Sequence, residues 1–200
     1  MRTVFLHGLG QNPNDWENII RLATGDSECP ELFAYQGNDI TYSSILQSVE
    51  SRYANASEPF RICGISLGGM LAMDYAIRHI DQISSLVLIG VQYKVPRLLL
   101  DFQNVLFHLL PNNAFANTGL SKHQMIKLAH SMRCLDFSDN LNKITCPVTI
   151  VCAKNDKANL KAAKSLNRLL PQSTLNLISH AGHEVNKEAP EVLSDILNSC

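Results

Sequence analysis

The sequence lacks the features by which proteins bind nucleic acid or enter a membrane. Its 200 residues carry a net charge of −1, and the basic residues are scattered, with no run longer than two. Such a chain presents no electrostatic footprint for nucleic acid or for an anionic surface. The longest apolar region, VPRLLLDFQNVLFHLLP, is interrupted by charged and polar residues, so it is not a membrane span. We therefore expect neither a nucleic-acid partner nor a membrane partner.

Motifs for cofactors and metals are also missing. No glycine-rich loop precedes a Lys-Ser or Lys-Thr pair, no G-x-G-x-x-G is present, and HAGH is accompanied by no H-E-x-x-H or Cys/His quartet. We expect no cofactor and no metal. The six cysteines form no C-x-x-C pair, and Cys63 and Cys152 lie in apolar, strand-like runs. Because the opening MRTVFLHGLG also lacks the pattern of a signal peptide, we expect reduced thiols and a cytoplasmic protein.

What the sequence does contain is an alternation of strand and helix patterns. Hydrophobic residues make up 46% and charged residues 18%, which suits one domain over 1–200. Near-continuous apolar runs predict strands buried on both faces of a parallel sheet: Thr3–His7, Leu32–Tyr35, Phe60–Cys63, Ser85–Ile89, Val148–Ala153 and Thr174–Ile178. Between them, periodicity predicts helices at Trp16–Leu22, Tyr42–Tyr53, Leu67–His79, Leu160–Leu169 and Pro190–Asn198. This order predicts a doubly wound α/β fold.

The region 91–143 interrupts the alternation. It contains no strand pattern, and its apolar residues fall on two helical stripes: Leu98, Phe102, Val105 and Leu109, then Met125, Leu128, Ala129 and Met132. A connection of this length is long for an α/β fold. The region is therefore predicted to be a small helical cap over the sheet edge, although ordinary helices packed on the sheet explain the second stripe equally well.

CGISLGG, at residues 63–69, places Ser66 between two glycines where a buried strand meets a helix. Gly64-x-Ser66-x-Gly68 is the spacing of a strained strand-to-helix turn that presents a nucleophilic hydroxyl. The glycines remove Cβ atoms that would clash where strand and helix meet closely. The motif alone is weak, because glycine and serine often only mark a turn. Its position after a strand and before a helix makes Ser66 a candidate nucleophile.

A serine nucleophile needs an imidazole base and an orienting carboxylate. His183 and His180 both follow the last predicted strand, and Asp156 follows the strand before it. Asp156 could also be an ordinary turn residue. Its placement matters because Ser66, Asp156 and a histidine would all lie at the carboxyl edge of one sheet, where open α/β sheets bind ligands. Asp136 and Asp139 are alternatives, but no strand precedes them.

Acyl transfer also requires donors for the oxyanion. The first predicted donor is the backbone N–H of Leu67, at the exposed start of the helix that follows Ser66. The second is the N–H of Leu9, in the glycine-containing loop HGLG after the first strand. Each donor of this kind lowers the barrier by about 3 kcal/mol.

Taken together, the motifs resemble those of the α/β-hydrolase superfamily, specifically its small single-domain members related to carboxylesterases and thioesterases. HGLG…DW is similar to the family's oxyanion loop, GISLGG to its nucleophile elbow, AKND to its acid loop and AGHEVNKEAP to its histidine loop. The family spacing of a histidine followed by Glu188 and Pro190 selects His183 over His180. The resemblance implies about six parallel strands without the usual N-terminal hairpin, and a lid at 91–143. An edge strand left open this way suggests a monomer or a homodimer.

The functional hypothesis is a serine hydrolase that cleaves a small-molecule ester or thioester with an apolar acyl group. Two alternatives stay open. The first is a C–C hydrolase or a lyase of the menaquinone-synthesis type, whose carboxylated substrate would require cations such as Lys94, Arg97 and Arg133. The second is a non-catalytic binding module. The ester is favoured by the apolar residues of the predicted cap: Leu98, Phe102, Leu106 and Leu109.

Overall fold

The fold is built on one parallel sheet, seen in a computed structural model that describes residues 1–34, 40–96, 111 and 118–200. The strands of those residues are β1 (Thr3–Leu6), β2 (Ser27–Glu28), β3 (Phe60–Ile65), β4 (Ile83–Ile89), β5 (Val148–Ala153) and β6 (Ser173–Ile178). Their order is β2–β1–β3–β4–β5–β6, and every neighbouring pair is parallel. The predicted α/β architecture with six parallel strands is confirmed.

The helices of the described residues lie within a few residues of the predicted segments, except a short one at Val185–Glu188 that was not predicted. They are α1 (Glu17–Leu22), α2 (Tyr42–Tyr53), α3 (Leu67–Arg78), α4 (Lys122–Ser131), α5 (Lys157–Leu169), α6 (Val185–Glu188) and α7 (Pro190–Ser199). Short 3-10 turns lie at Pro13–Trp16, Ile80–Gln82 and Ser138–Lys143. Local chemistry fixes the starts: Thr41 and Ser44 form a capping box before α2, and a proline opens α7. Among the described residues, none of the helices has the length and apolar character needed to cross a bilayer.

Alternate strand residues enter two apolar layers, one on each face of the sheet. Ile62 of β3 and Leu88 of β4 pack with α2, α3, α4 and α5. Cys63 and Ile89, their neighbours along the strands, pack on the other face with α1 and α7. Helices therefore cover both faces, which is the doubly wound arrangement. All six cysteines are free, and burial raises the pKa of the Cys63 thiol, so it packs as a small apolar group.

The predicted strand at Leu32–Tyr35 is wrong for residues 32–34, and Tyr35 lies outside the described residues. The second strand of the sheet lies earlier, at Ser27–Glu28, and pairs with β1 at the sheet edge. The N–H of Leu32 donates to His7 Nε2 at 3.0 Å, and the N–H of Phe33 donates to Glu31 Oε1 at 3.0 Å. Because side chains take these donors, the segment forms no strand ladder, although Leu32 is buried.

The predicted cap at 91–143 is described in part. Its first apolar stripe (Leu98, Phe102, Val105 and Leu109) lies outside the described residues. Its second stripe is confirmed as the buried face of α4 and the residue that follows it. An antiparallel bridge between Lys94 and Asp136 joins the two described ends of the region. The cap itself, the single domain over 1–200, the oligomeric state and the cytoplasmic location stay predictions.

Candidate active site

Ser66 occupies a strained turn between β3 and α3. Its φ of 54° and ψ of −115° lie in the left-handed half of backbone space, which a side chain normally avoids. A Cβ on Gly64 would lie 2.2 Å from the carbonyl oxygen of Gly68, and a Cβ on Gly68 would lie 2.0 Å from that of Leu6. Only glycine fits at either position, so the steric reason given for the motif is confirmed. The turn holds Ser66 at the N-terminus of α3, at the carboxyl edge of the sheet.

His183 and Asp156 meet at the same edge. Asp156 follows β5 and caps α5, His183 lies in the loop after β6, and His183 Nδ1 is 2.7 Å from Asp156 Oδ2. Asn159, one turn into α5, donates its side-chain N–H groups to both carboxylate oxygens, at 3.0 and 2.9 Å. Burial opposes ionisation of this carboxyl, but the hydrogen bonds from His183 and Asn159 outweigh burial and lower its pKa. Asp156 is therefore a carboxylate in direct contact with the imidazole.

Gly90 connects the serine turn to this pair. The Ser66 N–H donates to the carbonyl of Ile89 at 2.9 Å, and the next residue, Gly90, has a φ of +54°. A Cβ on Gly90 would lie 3.0 Å from two ring atoms of His183 and 3.3 Å from Asp156 Oδ2. The structure thus brings Asp156 and His183 into contact, and Gly90 packs against this pair directly after the residue whose carbonyl accepts from Ser66. In the described part of the chain the Ser66 hydroxyl itself makes no hydrogen bond, and catalytic bonds are often long before substrate binds.

The rival residues lie apart from this contact. His180 is exposed and has a φ of 61°, whereas His183 is the histidine that Asp156 contacts. Asp136 pairs with Lys94 at 2.7 Å, and hydrogen bonds from Lys94 and Ser138 lower the Asp136 pKa to about 2. Asp136 is thus occupied by a surface ion pair.

One predicted oxyanion donor directly follows Ser66, and the other lies in the loop that packs against the last residue of β3. Leu67 is the first residue of α3, and Leu9 follows Gly8, whose Cβ would be 3.5 Å from the carbonyl oxygen of Ile65. Within the described residues, neither Leu9 nor Leu67 donates its N–H to another group. Two unpaired N–H groups beside a candidate nucleophile are what an oxyanion hole requires.

His7, which the sequence analysis does not assign to the site, is a buried histidine directly before the loop that carries Leu9. Its side chain is fully buried, its Nε2 accepts from the Leu32 N–H at 3.0 Å, and its Nδ1 is 3.1 Å from the Gly8 carbonyl oxygen. These contacts require the neutral imidazole with its proton on Nδ1. Burial lowers the His7 pKa, in agreement with that form. The sequence signal for this residue is its position: His7 ends an apolar strand run and directly precedes the glycines of HGLG.

Comparisons with known proteins come from sequence and from structure. No protein-family model matches the chain. Monoacylglycerol lipase abhd6-B of Xenopus laevis is 23% identical over a 260-residue alignment that covers 98% of this chain and 75% of the lipase. RutD of Escherichia coli O81 (strain ED1a), assigned as a carbamate hydrolase, is 32% identical over 77 residues. That match takes in 38% of this chain, and it spans only 29% of RutD.

The structural comparison decides the fold. MenH from S. aureus superposes with a TM-score of 0.83 at 20% identity, over 98% of this chain and 91% of MenH. The chain has the α/β-hydrolase fold. In this fold the serine turn after β3, the acid loop after β5 and the histidine loop after β6 all open at one edge of the sheet.

A cavity of about 640 Å³ lies beside the acid loop of this α/β-hydrolase fold. Gln92 lines it and donates to Asn159 Oδ1 at 2.8 Å, so the cavity adjoins the residue that holds Asp156. Two of the predicted cations, Lys94 and Arg133, also line it, as does Lys161. The third predicted cation, Arg97, lies outside the described residues.

Substituting alanine for Gly90 is expected to lower kcat by about 10–100-fold. The new Cβ must displace the His183 ring or the Asp156 carboxylate by a few tenths of an ångström, and small misplacements of reacting groups are costly. Gly119→Ala is the matched control, since Gly119 also has a positive φ (+72°) but its Cβ would meet no atom of the described residues closer than 3.9 Å. Steady-state kinetics of both variants test this. Equal kcat values in the two would contradict the steric role of Gly90.

His7→Gln is expected to lower the free energy of unfolding and to make that free energy less dependent on pH. Because burial lowers the His7 pKa, the unfolded chain takes up this proton first as the pH falls below about 6.5, and stability is lost. Urea unfolding at pH 8 and at pH 5.5 measures both effects. At pH 8 we expect a loss of about 1–3 kcal/mol from disturbed buried hydrogen bonds. A pH slope as steep in His7→Gln as in the wild type would exclude His7 as its source.

Proposed function

We propose that this chain hydrolyses carboxylic esters or thioesters of small molecules, with Ser66 as nucleophile, His183 as general base and Asp156 as its orienting carboxylate. The observation that carries the proposal is the 2.7 Å contact between His183 Nδ1 and Asp156 Oδ2, beside a serine on a strained turn. A monoacylglycerol lipase that aligns with 98% of the chain supports an ester substrate.

The proposed reaction begins with attack of Ser66 Oγ on the acyl carbonyl carbon. Since Nδ1 of His183 faces Asp156, Nε2 is the nitrogen that takes the hydroxyl proton. The carbonyl oxygen becomes an oxyanion, which the N–H groups of Leu9 and Leu67 stabilise. The tetrahedral intermediate then collapses: the bond to the alcohol or thiol breaks, and His183 gives its proton to that leaving group.

The second half of the reaction regenerates the serine. A water molecule gives a proton to His183 and attacks the acyl carbon, and the same two backbone donors stabilise the new oxyanion. When the bond to Ser66 Oγ breaks, His183 returns the proton to the serine and the carboxylic acid leaves. No cofactor enters these steps.

A fluorophosphonate probe tests the nucleophile directly. Such a probe loses fluoride to an activated serine and stays attached, so we expect one phosphonyl group per chain on the peptide that contains Ser66. Ser66→Ala is the control and should remain unlabelled. Labelling that is equal in both proteins, or that lies on another residue, would exclude this mechanism.

A second candidate is chemistry on a carboxylated substrate with the same three residues. It is favoured by the cations that line the cavity beside the acid loop, although Lys94 is already paired with Asp136 at 2.7 Å. Turnover of a panel of p-nitrophenyl esters, compared with carboxylated dienes, separates the two candidates. A protein that turns over neither set but binds an ester without cleaving it would instead be a binding module.

A further inference from the structure

A buried side-chain amide joins the loop after β1 to the loop after β6. Gln11 is only 3% exposed, and its Nε2 donates to Glu184 Oε1 at 3.0 Å and to Asn186 Oδ1 at 3.1 Å. Asn186 is 1% exposed and donates its own Nδ2 to the carbonyl oxygen of Asp15 at 3.1 Å. Glu184 directly follows His183. One glutamine therefore ties the oxyanion loop to the histidine loop, which is far away along the chain.

The same glutamine fixes the peptide that carries a proposed oxyanion donor. Gln11 Oε1 accepts from the Gly8 N–H at 3.0 Å, and the backbone N–H of Gln11 donates to the Gly8 carbonyl oxygen at 3.2 Å. The Gly8 carbonyl and the Leu9 N–H belong to one planar peptide, in which they point in opposite directions. The Gln11 backbone N–H and His7 Nδ1 hold this carbonyl oxygen and so direct the Leu9 N–H to the other side. The Gln11 side-chain amide acts on the other end of the same residue: by holding the Gly8 N–H it restricts the rotation of Gly8 and hence of the peptide that follows.

We propose that Gln11 is a positioning residue, which holds the Leu9 N–H and His183 in their places relative to Ser66. The inference rests on the proposed function. Attack and oxyanion stabilisation need both groups within a fraction of an ångström of their places. The amide uses its oxygen and both of its N–H groups, so the network is fully paired at this residue.

A merely structural Gln11 would behave differently. Removing the amide would then lower the thermal midpoint, because buried polar partners lose their hydrogen bonds, but kcat of the folded enzyme would stay the same. A positioning role instead lowers kcat while KM changes little, because the affected interactions form in the transition state. The two roles are therefore separable by kinetics below the melting range.

Gln11→Met is the principal variant, since it keeps the length of the side chain and removes the amide. We expect kcat to fall about 10–100-fold with KM within about threefold. The affinity for a trifluoromethyl ketone, which forms an oxyanion-bearing adduct with Ser66, should fall in proportion. Asn198→Ala is the control for losing an amide with several hydrogen bonds: the exposed Asn198 amide joins Leu22 and Thr24 to α7 by three hydrogen bonds of 3.0–3.1 Å, away from the site. It should lose stability and keep kcat.

A second pair of variants covers the case in which Gln11→Met does not fold. Glu184→Ala removes one acceptor of the Gln11 amide at a partly exposed position, whereas Glu184→Gln keeps an acceptor and removes the charge. We expect kcat to fall about 3–10-fold in the first and to stay within about twofold of the wild type in the second. Equal kcat in both variants would overturn the inference.

The outcomes separate this inference from the proposed function. If the fluorophosphonate labels Ser66 of the wild type and Gln11→Met keeps kcat and ketone affinity within twofold, the positioning role is wrong and the hydrolase proposal stands. If the wild type is not labelled at Ser66, both are wrong. Labelling of the wild type with a parallel loss of kcat and ketone affinity in Gln11→Met supports both.

Discussion

Ser66→Ala is expected to lower kcat for ester hydrolysis by about 10⁵–10⁶-fold, and His183→Ala should lower it by a similar factor. Without Ser66 Oγ no acyl-enzyme can form, and without His183 the hydroxyl has no base. Because the two residues act in one step, the double variant should lose no more than either single variant. The remaining rate would come from the oxyanion donors and from substrate binding.

Two control variants accompany this measurement. Ser194 is a buried serine of α7 whose hydroxyl has no hydrogen-bond partner among the described residues, so Ser194→Ala tests the loss of a serine hydroxyl away from the site. His180→Ala removes an exposed imidazole three residues before His183. Single-turnover and steady-state rates should be close to wild type in both. A Ser66→Ala rate above about 1% of wild type, or losses that multiply in the double variant, would refute the shared step.

The parts of this fold that sequence could predict are those set by local pattern. VTIVCA is apolar throughout because β5 is buried on both faces, and the Tyr42–Tyr53 helix matches its predicted bounds because a capping box starts it. Ser66 was predictable for a related reason: the clash of a Cβ at Gly64 or Gly68 follows from the turn itself. Because the turn itself requires glycine at these two positions, the turn around Ser66 can be recognised from the sequence.

What sequence could not give depends on contacts between distant segments. Leu32 is apolar and buried like a strand residue, but its N–H is taken by His7, 25 positions earlier. In the sequence Gly90 is an ordinary glycine at the end of a strand, and only the position of the His183 ring shows that a Cβ there would push its neighbours aside. Gln11 sits in a polar loop segment, and its burial depends on the two acceptors supplied by the loop after β6. Contacts between such distant residues produce no periodicity or spacing in the sequence, so they could not be predicted from it.

Asp156→Asn is expected to lower kcat by about 10³–10⁴-fold while the protein stays folded. The carboxylate now accepts from His183 Nδ1 at 2.7 Å and also accepts twice from Asn159. An asparagine has a single oxygen acceptor, so its amide N–H₂ can turn to His183 and donate to Nδ1. The imidazole proton would then lie on Nε2, the nitrogen that should take the proton of Ser66. The base would be present but in the wrong tautomer.

Asp139→Asn is the control for the same change of charge: Asp139 also lies near the start of a helical segment, but it is exposed. It should retain wild-type kcat. Urea unfolding adds a second readout: the lowered pKa of Asp156 stabilises the fold above about pH 4, and that contribution is lost as the pH falls further. Asp156→Asn should lack this part of the acid dependence. If Asp156→Asn keeps more than about a tenth of the wild-type kcat, the Asp156 carboxylate does not set the tautomer of His183. The proposed role of Asp156 would then be wrong.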